Sequence, residues 1–63
     1  MFTVAQFTLN GASVRVTHNP EKDFPFIVEG KTVGRYAKID AYSEPGYALK
    51  RATEEFRRLA HLD

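Results

Sequence analysis

The sequence predicts one small α+β domain, residues 1–63, in which an antiparallel β-sheet of two hairpins packs on one C-terminal α-helix in the chain order ββββα. The length of 63 residues allows a single domain. An Asn-Gly pair flanked by residues of alternating polarity is typical of a β-hairpin. After residue 46 the spacing of the apolar residues changes from two to about 3.6, which indicates an amphipathic helix.

The first hairpin turns at Asn10-Gly11, the pair that a two-residue turn with two positive φ angles prefers. Such a turn places three apolar pairs on one face, because side chains alternate along a strand: Leu9 with Ala12, Phe7 with Val14, and Ala5 with Val16. The opposite face then holds Val4, Gln6 and Thr8 across from Thr17, Arg15 and Ser13. The Asn-Gly turn and the alternation of apolar and polar residues independently predict the same strand register.

The second hairpin follows a charged loop that begins at Asn19-Pro20. We predict a strand over residues 24–28, a turn at Glu29-Gly30, and a returning strand over residues 31–42. On the returning strand one face carries Val33, Ala37, Ile39 and Ala41, and the other carries Thr32, Tyr36, Lys38 and Asp40. Gly34 interrupts this alternation and predicts a bulge or a bend.

The helix is predicted to begin after Ser43, which serves as the N-cap, with Glu44 and Pro45 in the first turn. Over residues 47–62 the apolar residues form one stripe: Ala48, Leu49, Ala52, Phe56, Leu59 and Ala60. The stripe is expected to lie on the apolar face of the sheet. The other sheet face, which we call the outer face, is then left uncovered.

The composition and motifs argue against catalysis and against a bound metal or cofactor. The chain has no cysteine and two histidines, His18 and His61, so we expect no disulfide and no metal site. No serine–histidine pairing matches a nucleophile–base motif, so we expect no catalytic residue. Gly30-Lys31-Thr32 resembles the end of a phosphate-binding P-loop, but Pro25 occupies the position of the first glycine, and a strand follows instead of a helix.

The sequence also predicts a cytoplasmic protein that has no membrane partner. No apolar run approaches the roughly 18 residues that a membrane span needs. Residues 1–6 carry neither the basic start nor the apolar stretch of a signal peptide.

The outer face is the predicted binding surface, because apolar side chains are expected there among polar ones. The candidate partner-binding residues are Phe2, Val4, Arg15, Ile27, Tyr36 and Lys38. They favour a non-catalytic module that occludes a surface of a larger protein, as a phage- or plasmid-type inhibitor or an antitoxin-like protein does. Open strand edges also allow a homodimer.

Nucleic-acid binding through the outer face is the alternative. Its Gln, Thr, Arg, Lys and Tyr side chains are of the types that contact phosphates and base edges. The net charge of +1 argues against it, as do Asp40 and Glu29, which are expected on or near this face. Residues 26–59 resemble the second half of a double-stranded-RNA-binding domain, although the start of the helix here is acidic where that family is basic. The order of strands and helix is also similar to arm-binding domains of tyrosine recombinases and to HicB-type antitoxins.

Overall fold

The computed structural model describes residues 1–31 and 33–61, and it confirms the predicted α+β fold. Four antiparallel strands lie in the order β1-β2-β3-β4, and one helix packs on a single face of the sheet. The elements are β1 (Phe2–Leu9), β2 (Ala12–His18), β3 (Phe26–Lys31), β4 (Ala37–Tyr42) and α1 (Pro45–Leu59). Among the described residues, no helix is long and apolar enough to cross a membrane.

The first hairpin has the predicted turn and the predicted register near that turn. Asn10 and Gly11 have φ angles of 53° and 81°, the left-handed values that a type I′ turn requires at both central positions. Leu9 pairs with Ala12, and the pairing continues through Phe7–Val14 and Ala5–Val16. Val14 and Val16 are fully buried beneath the helix.

A bulge at Val4 changes the pairing at the far end of this hairpin. Thr3 rather than Val4 lies opposite Thr17, and Phe2 lies opposite His18. The prediction that Phe2 lies on the outer face is therefore wrong, because the extra residue inverts the alternation. On the helix side, the Phe2 ring meets the His18 ring edge-on at 5.2 Å between centroids, and His18 stacks on Phe26 at 4.6 Å.

The second hairpin turns later than predicted. Strand β3 continues straight through Glu29 and Gly30, and the chain reverses over residues 33–36, where Gly34 has a φ of 80°. Gly30 is buried, and a Cβ atom there would lie 3.0 Å from Ile39 Cδ1 and 3.2 Å from Leu59 Cδ1. A glycine is therefore needed for close packing in the strand and not for a turn. Val33, expected in the core, is 91% exposed, and Thr32 lies outside the described residues.

A second bulge, at Ile39, changes which face two residues of β4 share. Asp40 lies opposite Val28 on the helix side, and Ala41 lies opposite Ile27 on the outer face. Both were predicted on the other side. Asp40 there accepts hydrogen bonds from the Ala41 N–H at 2.8 Å and the Tyr42 hydroxyl at 3.1 Å. These bonds, with Arg51 Nη1 at 3.4 Å, hold the pKa of Asp40 below its usual value.

The helix begins one residue later than predicted. Glu44, not Ser43, is the N-cap, with an extended backbone (φ −128°, ψ 146°) and no capping bond from its side chain. The reason is Pro45, because a residue that precedes proline is driven out of the helical region. The apolar stripe is confirmed: Ala48 and Ala52 are fully buried, and Phe56 and Leu59 pack beside them.

Replacing Gly30 with valine tests the close packing of β3 against α1. We expect Gly30→Val to lower the free energy of unfolding by about 1–3 kcal/mol, because its Cβ already crowds Ile39 and Leu59. Urea denaturation measures the loss. Gly46→Ala is the control, since nothing lies within 4 Å of a Cβ there, and it should raise stability by up to about 1 kcal/mol. Equal effects of the two variants would contradict this packing.

The lowered pKa of Asp40 predicts a loss of stability in acid. Its contribution is complete above the unfolded-state pKa of about 4 and disappears as the pH falls through the lower folded-state value. Glu55 behaves alike, because a hydrogen bond from Arg58 lowers its pKa. The melting temperature should therefore fall between about pH 5 and pH 3, and less steeply in Asp40→Asn and in Glu55→Gln. Unaltered pH profiles in both variants would rule this out.

Candidate binding surface on the outer sheet face

The strand pairing defines the outer face, because directly opposed residues share a face and successive residues alternate. Its members are Thr3, Gln6, Thr8, Ser13, Arg15, Thr17, Ile27, Glu29, Lys31, Lys38 and Ala41. Most of them are polar or charged, whereas the helix side of the same strands is apolar. No part of α1 covers this face, since the helix packs on the other one.

Tyr36 crosses the outer face from the connection between β3 and β4. Its hydroxyl lies 2.6 Å from Ser13 Oγ on β2 and accepts a hydrogen bond of 3.1 Å from Gln6 Nε2 on β1. Ser13 Oγ in turn lies 3.2 Å from the Thr8 hydroxyl. One side chain therefore ties the connection between the last two strands to the first two strands.

Arg15 is held in one orientation at the centre of the outer face. Its Nε donates a hydrogen bond of 2.9 Å to Glu29 Oε1, and its guanidinium carbon lies 3.8 Å from the centre of the Tyr36 ring. Lys31 Nζ approaches the same ring at 4.7 Å. Within the described part of the chain, the two Nη groups of Arg15 make no hydrogen bond.

The outer face carries a positive charge that the sequence did not predict. Its charged members are Arg15, Lys31, Lys38 and Glu29, and the single carboxylate is bonded to Arg15. Asp40, expected on this face, lies on the helix side, where Arg51 faces it. The outer face is therefore more positive than the near-neutral charge of the whole chain suggests, since its three cations outnumber its single carboxylate.

An apolar recess lies at the opposite end of the outer face from the Tyr36 hydroxyl. Its volume is about 330 Å³, and it is lined by Phe24, Ile27 and Ala41, with charged side chains at its rim. The loop before β3 positions Phe24, because Asn19 accepts hydrogen bonds from two backbone N–H groups of that loop and donates its own N–H to the Pro25 carbonyl. Phe24 is 59% exposed.

The six predicted partner-binding residues do not form one patch. Arg15 and Tyr36 contact each other, and Ile27 and Lys38 together line the apolar recess. Val4 stands in the β1 bulge at the edge of the sheet, and Phe2 lies on the helix side. Whether any of the six binds a partner stays a prediction.

Sequence reasoning missed parts of this surface. Gln6 and Ser13 were placed on the outer face, but nothing local indicated that Tyr36 would reach them. Lys31 was predicted to start the returning strand after a turn at Glu29-Gly30, whereas it is the last residue of β3. Phe24 was assigned to the strand itself, and the following Pro25 was the available signal that the strand starts later.

At the end of the outer face near Ile27, the side chain of Thr17 is not accessible to a ligand. Thr17, between Thr3 and Ile27 in the sheet, is 3% exposed, and its hydroxyl has no hydrogen-bond partner among the described residues. In the same part of the chain, no group of three or more His, Cys, Asp or Glu side chains lies close enough to hold a metal ion. The outer face thus combines hydrogen-bonding and charged groups around Arg15 and Tyr36 with the apolar recess at Phe24, Ile27 and Ala41.

Replacing the Tyr36 hydroxyl tests the polar network. We expect Tyr36→Phe to lower the free energy of unfolding by about 1 kcal/mol, through the lost bonds to Ser13 and Gln6. Tyr36→Ala should cost roughly 2 kcal/mol, because the ring under Arg15 also disappears. Tyr47→Phe, at an exposed tyrosine of the helix, is the matched control in urea denaturation. A Tyr36→Phe variant as stable as this control would show that the network contributes nothing.

Comparison with known proteins gives this surface no precedent. No family model matches the chain, and no curated protein or solved structure does. The chemistry of the outer face is thus the basis on which a function can be assigned.

Proposed function

We propose that the protein is a non-catalytic nucleic-acid-binding domain that places its outer face against double-stranded DNA. The observation that carries the proposal is Arg15, whose guanidinium is held between the Tyr36 ring at 3.8 Å and Glu29 at 2.9 Å. An arginine held in this way has lost its side-chain freedom before it binds, so its Nη groups are ready for a base edge or a phosphate.

The neighbours of Arg15 support this proposal. Gln6 and Thr8 on β1 flank it with amide and hydroxyl groups, and both are exposed. Side chains of these types form hydrogen bonds with base edges and with phosphate oxygens. The β1–β2 hairpin that carries them forms one edge of the four-stranded sheet, and several DNA-binding proteins place strands of a sheet in a groove of the duplex.

The charge of the outer face supplies the non-specific part of the attraction. Lys31 and Lys38 flank Arg15 on β3 and β4, and neither forms an ion pair among the described residues. Three cations that each neutralise one phosphate give a slope of about −2.7 for log K against log [salt]. Affinity should therefore fall by roughly 40-fold between about 50 and 200 mM salt.

Two features favour duplex DNA over other nucleic acids. Single strands are held largely by successive bases stacked on open aromatic rings. The Tyr36 ring is already occupied by Arg15 and approached by Lys31, and the exposed Phe24 ring lies apart from Arg15, in the apolar recess. Double-stranded RNA has a deep, narrow major groove that a protein ribbon cannot enter.

The test measures binding of a short labelled DNA duplex by fluorescence anisotropy over a salt series. We expect Arg15→Gln and Lys38→Gln each to weaken binding and to reduce the salt slope by about 1. Lys50→Gln is the matched control, because it removes one charge from the exposed side of α1. Single-stranded DNA and duplex RNA should bind more weakly than duplex DNA.

Three results would contradict the proposal. One is the absence of DNA binding at low salt. Another is an equal loss in Lys50→Gln and in Arg15→Gln, which would indicate that only the net charge matters. The third is binding without salt dependence.

A protein partner is the second candidate function, and the apolar recess is what favours it. Phe24, Ile27 and Ala41 present apolar surface within a charged rim, as the centre of a protein interface does. A small accessory or inhibitory protein of the phage or plasmid type would use such a surface to occlude a larger partner. β1 and β4 are the edge strands, where a partner strand or a second copy could add. A host protein retained after nuclease treatment, together with no affinity for DNA, would favour this function.

A further inference from the structure

A second recess lies where the connection between β3 and β4 meets the end of α1. Its volume is about 320 Å³. Four cationic residues line it, one each from β3, the connection, β4 and α1: Lys31, Arg35, Lys38 and Arg58. Ile39 and Leu59 contribute apolar surface. We call it the basic recess.

The charge in the basic recess is not balanced from within. No carboxylate of the described residues lines it. Arg58 donates a hydrogen bond of 2.6 Å to Glu55, so its charge is largely compensated. Arg35 and Lys38 form no ion pair among the described residues, and Lys31 Nζ lies 4.7 Å from the centre of the Tyr36 ring. Two of the cationic residues that line the recess, Arg35 and Lys38, therefore have no counter-charge among the described residues.

The end of α1 does not cancel this charge. A helix C-terminus has a partial negative charge of about half an elementary charge, which disfavours anions. Arg57 and Arg58 stand in its last turn, where their cationic groups oppose that partial charge. Arg35 and Lys38 then add positive charge at the recess itself.

We infer that the basic recess binds a phosphate group, with Arg35 and Lys38 as its principal contacts. Arginine and lysine are the side chains that hold phosphate oxygens, the first through two parallel N–H groups and the second as a point charge. Lys31 and Lys38 belong both to the recess and to the outer face. A duplex on the outer face therefore brings its backbone past the recess, and this source of the phosphate rests on the proposed function.

The first experiment tests the site without DNA. Pyrophosphate is titrated into the ¹⁵N-labelled full chain at constant ionic strength, with sodium chloride as the reference. We expect saturable shifts of the amide signals around Arg35, Lys38 and Leu59, and about tenfold weaker binding in Arg35→Gln. Lys50→Gln should bind as the parent chain does. Arg35 is exposed in a connection, and the spectrum of each variant shows whether it has folded.

The second experiment identifies the source of the phosphate. If the duplex backbone enters the recess, Arg35→Gln should weaken DNA binding a few-fold and reduce the salt slope by about 1. If pyrophosphate binds but DNA binding is absent or the same in Arg35→Gln, the site stands and its ligand is a free phosphate compound.

The inference is overturned if pyrophosphate causes no saturable shift, or if Arg35→Gln and Lys50→Gln weaken its binding equally. DNA binding that depends on Arg15 alone would then still support the proposed function. The two proposals can therefore fail independently.

Discussion

The contact between a valine-rich sheet face and an alanine-bearing helix is the constraint on which this structure depends. Val14, Val16 and Val28 are fully buried against Ala48 and Ala52. Burial of each valine contributes about 1.5–3 kcal/mol, and no disulfide supplements it. The small side chains of Ala48 and Ala52 leave room for the helix to lie close to β2 and β3. A chain of this length can build one such contact, so the other face of the sheet remains available for binding.

Two bulges determine which residues at the ends of the edge strands lie on each side of that sheet. Val4 and Ile39 are the extra residues in the edge strands β1 and β4, and bulges allow edge strands to bend and twist. The bulge at Ile39 sends Asp40 to the helix side, where Arg51 faces it. The outer face thereby becomes positive, although the chain as a whole carries a charge of only +1. The bulge at Ile39 therefore also affects the net charge of the outer face.

Tyr36 converts this positive face into an ordered surface. Its hydroxyl contacts side chains of β1 and β2, and its ring packs against the Arg15 guanidinium. The orientation of Arg15 is therefore fixed within the protein itself. Lys38 lies between the apolar recess and the basic recess and lines both. The apolar recess, the Tyr36 hydrogen-bond network and the cationic residues are thus neighbours in the structure.

The local features of the fold could be predicted from the sequence by itself, because each is determined by residues near one another in the chain. Asn10-Gly11 determines its turn and the adjacent register through φ angles alone, and the 3.6-residue spacing from Ala48 to Leu59 determines the buried stripe of the helix. The tertiary structure decided the positions of the bulges, the passage of β3 through Gly30, and the partners of Tyr36. A bulge inverts the alternation for every residue beyond it, so Phe2 and Asp40 could not be assigned to a face from alternation. Whether a strand bulges depends on how it must bend to meet the helix, and that requirement exists only in the assembled fold.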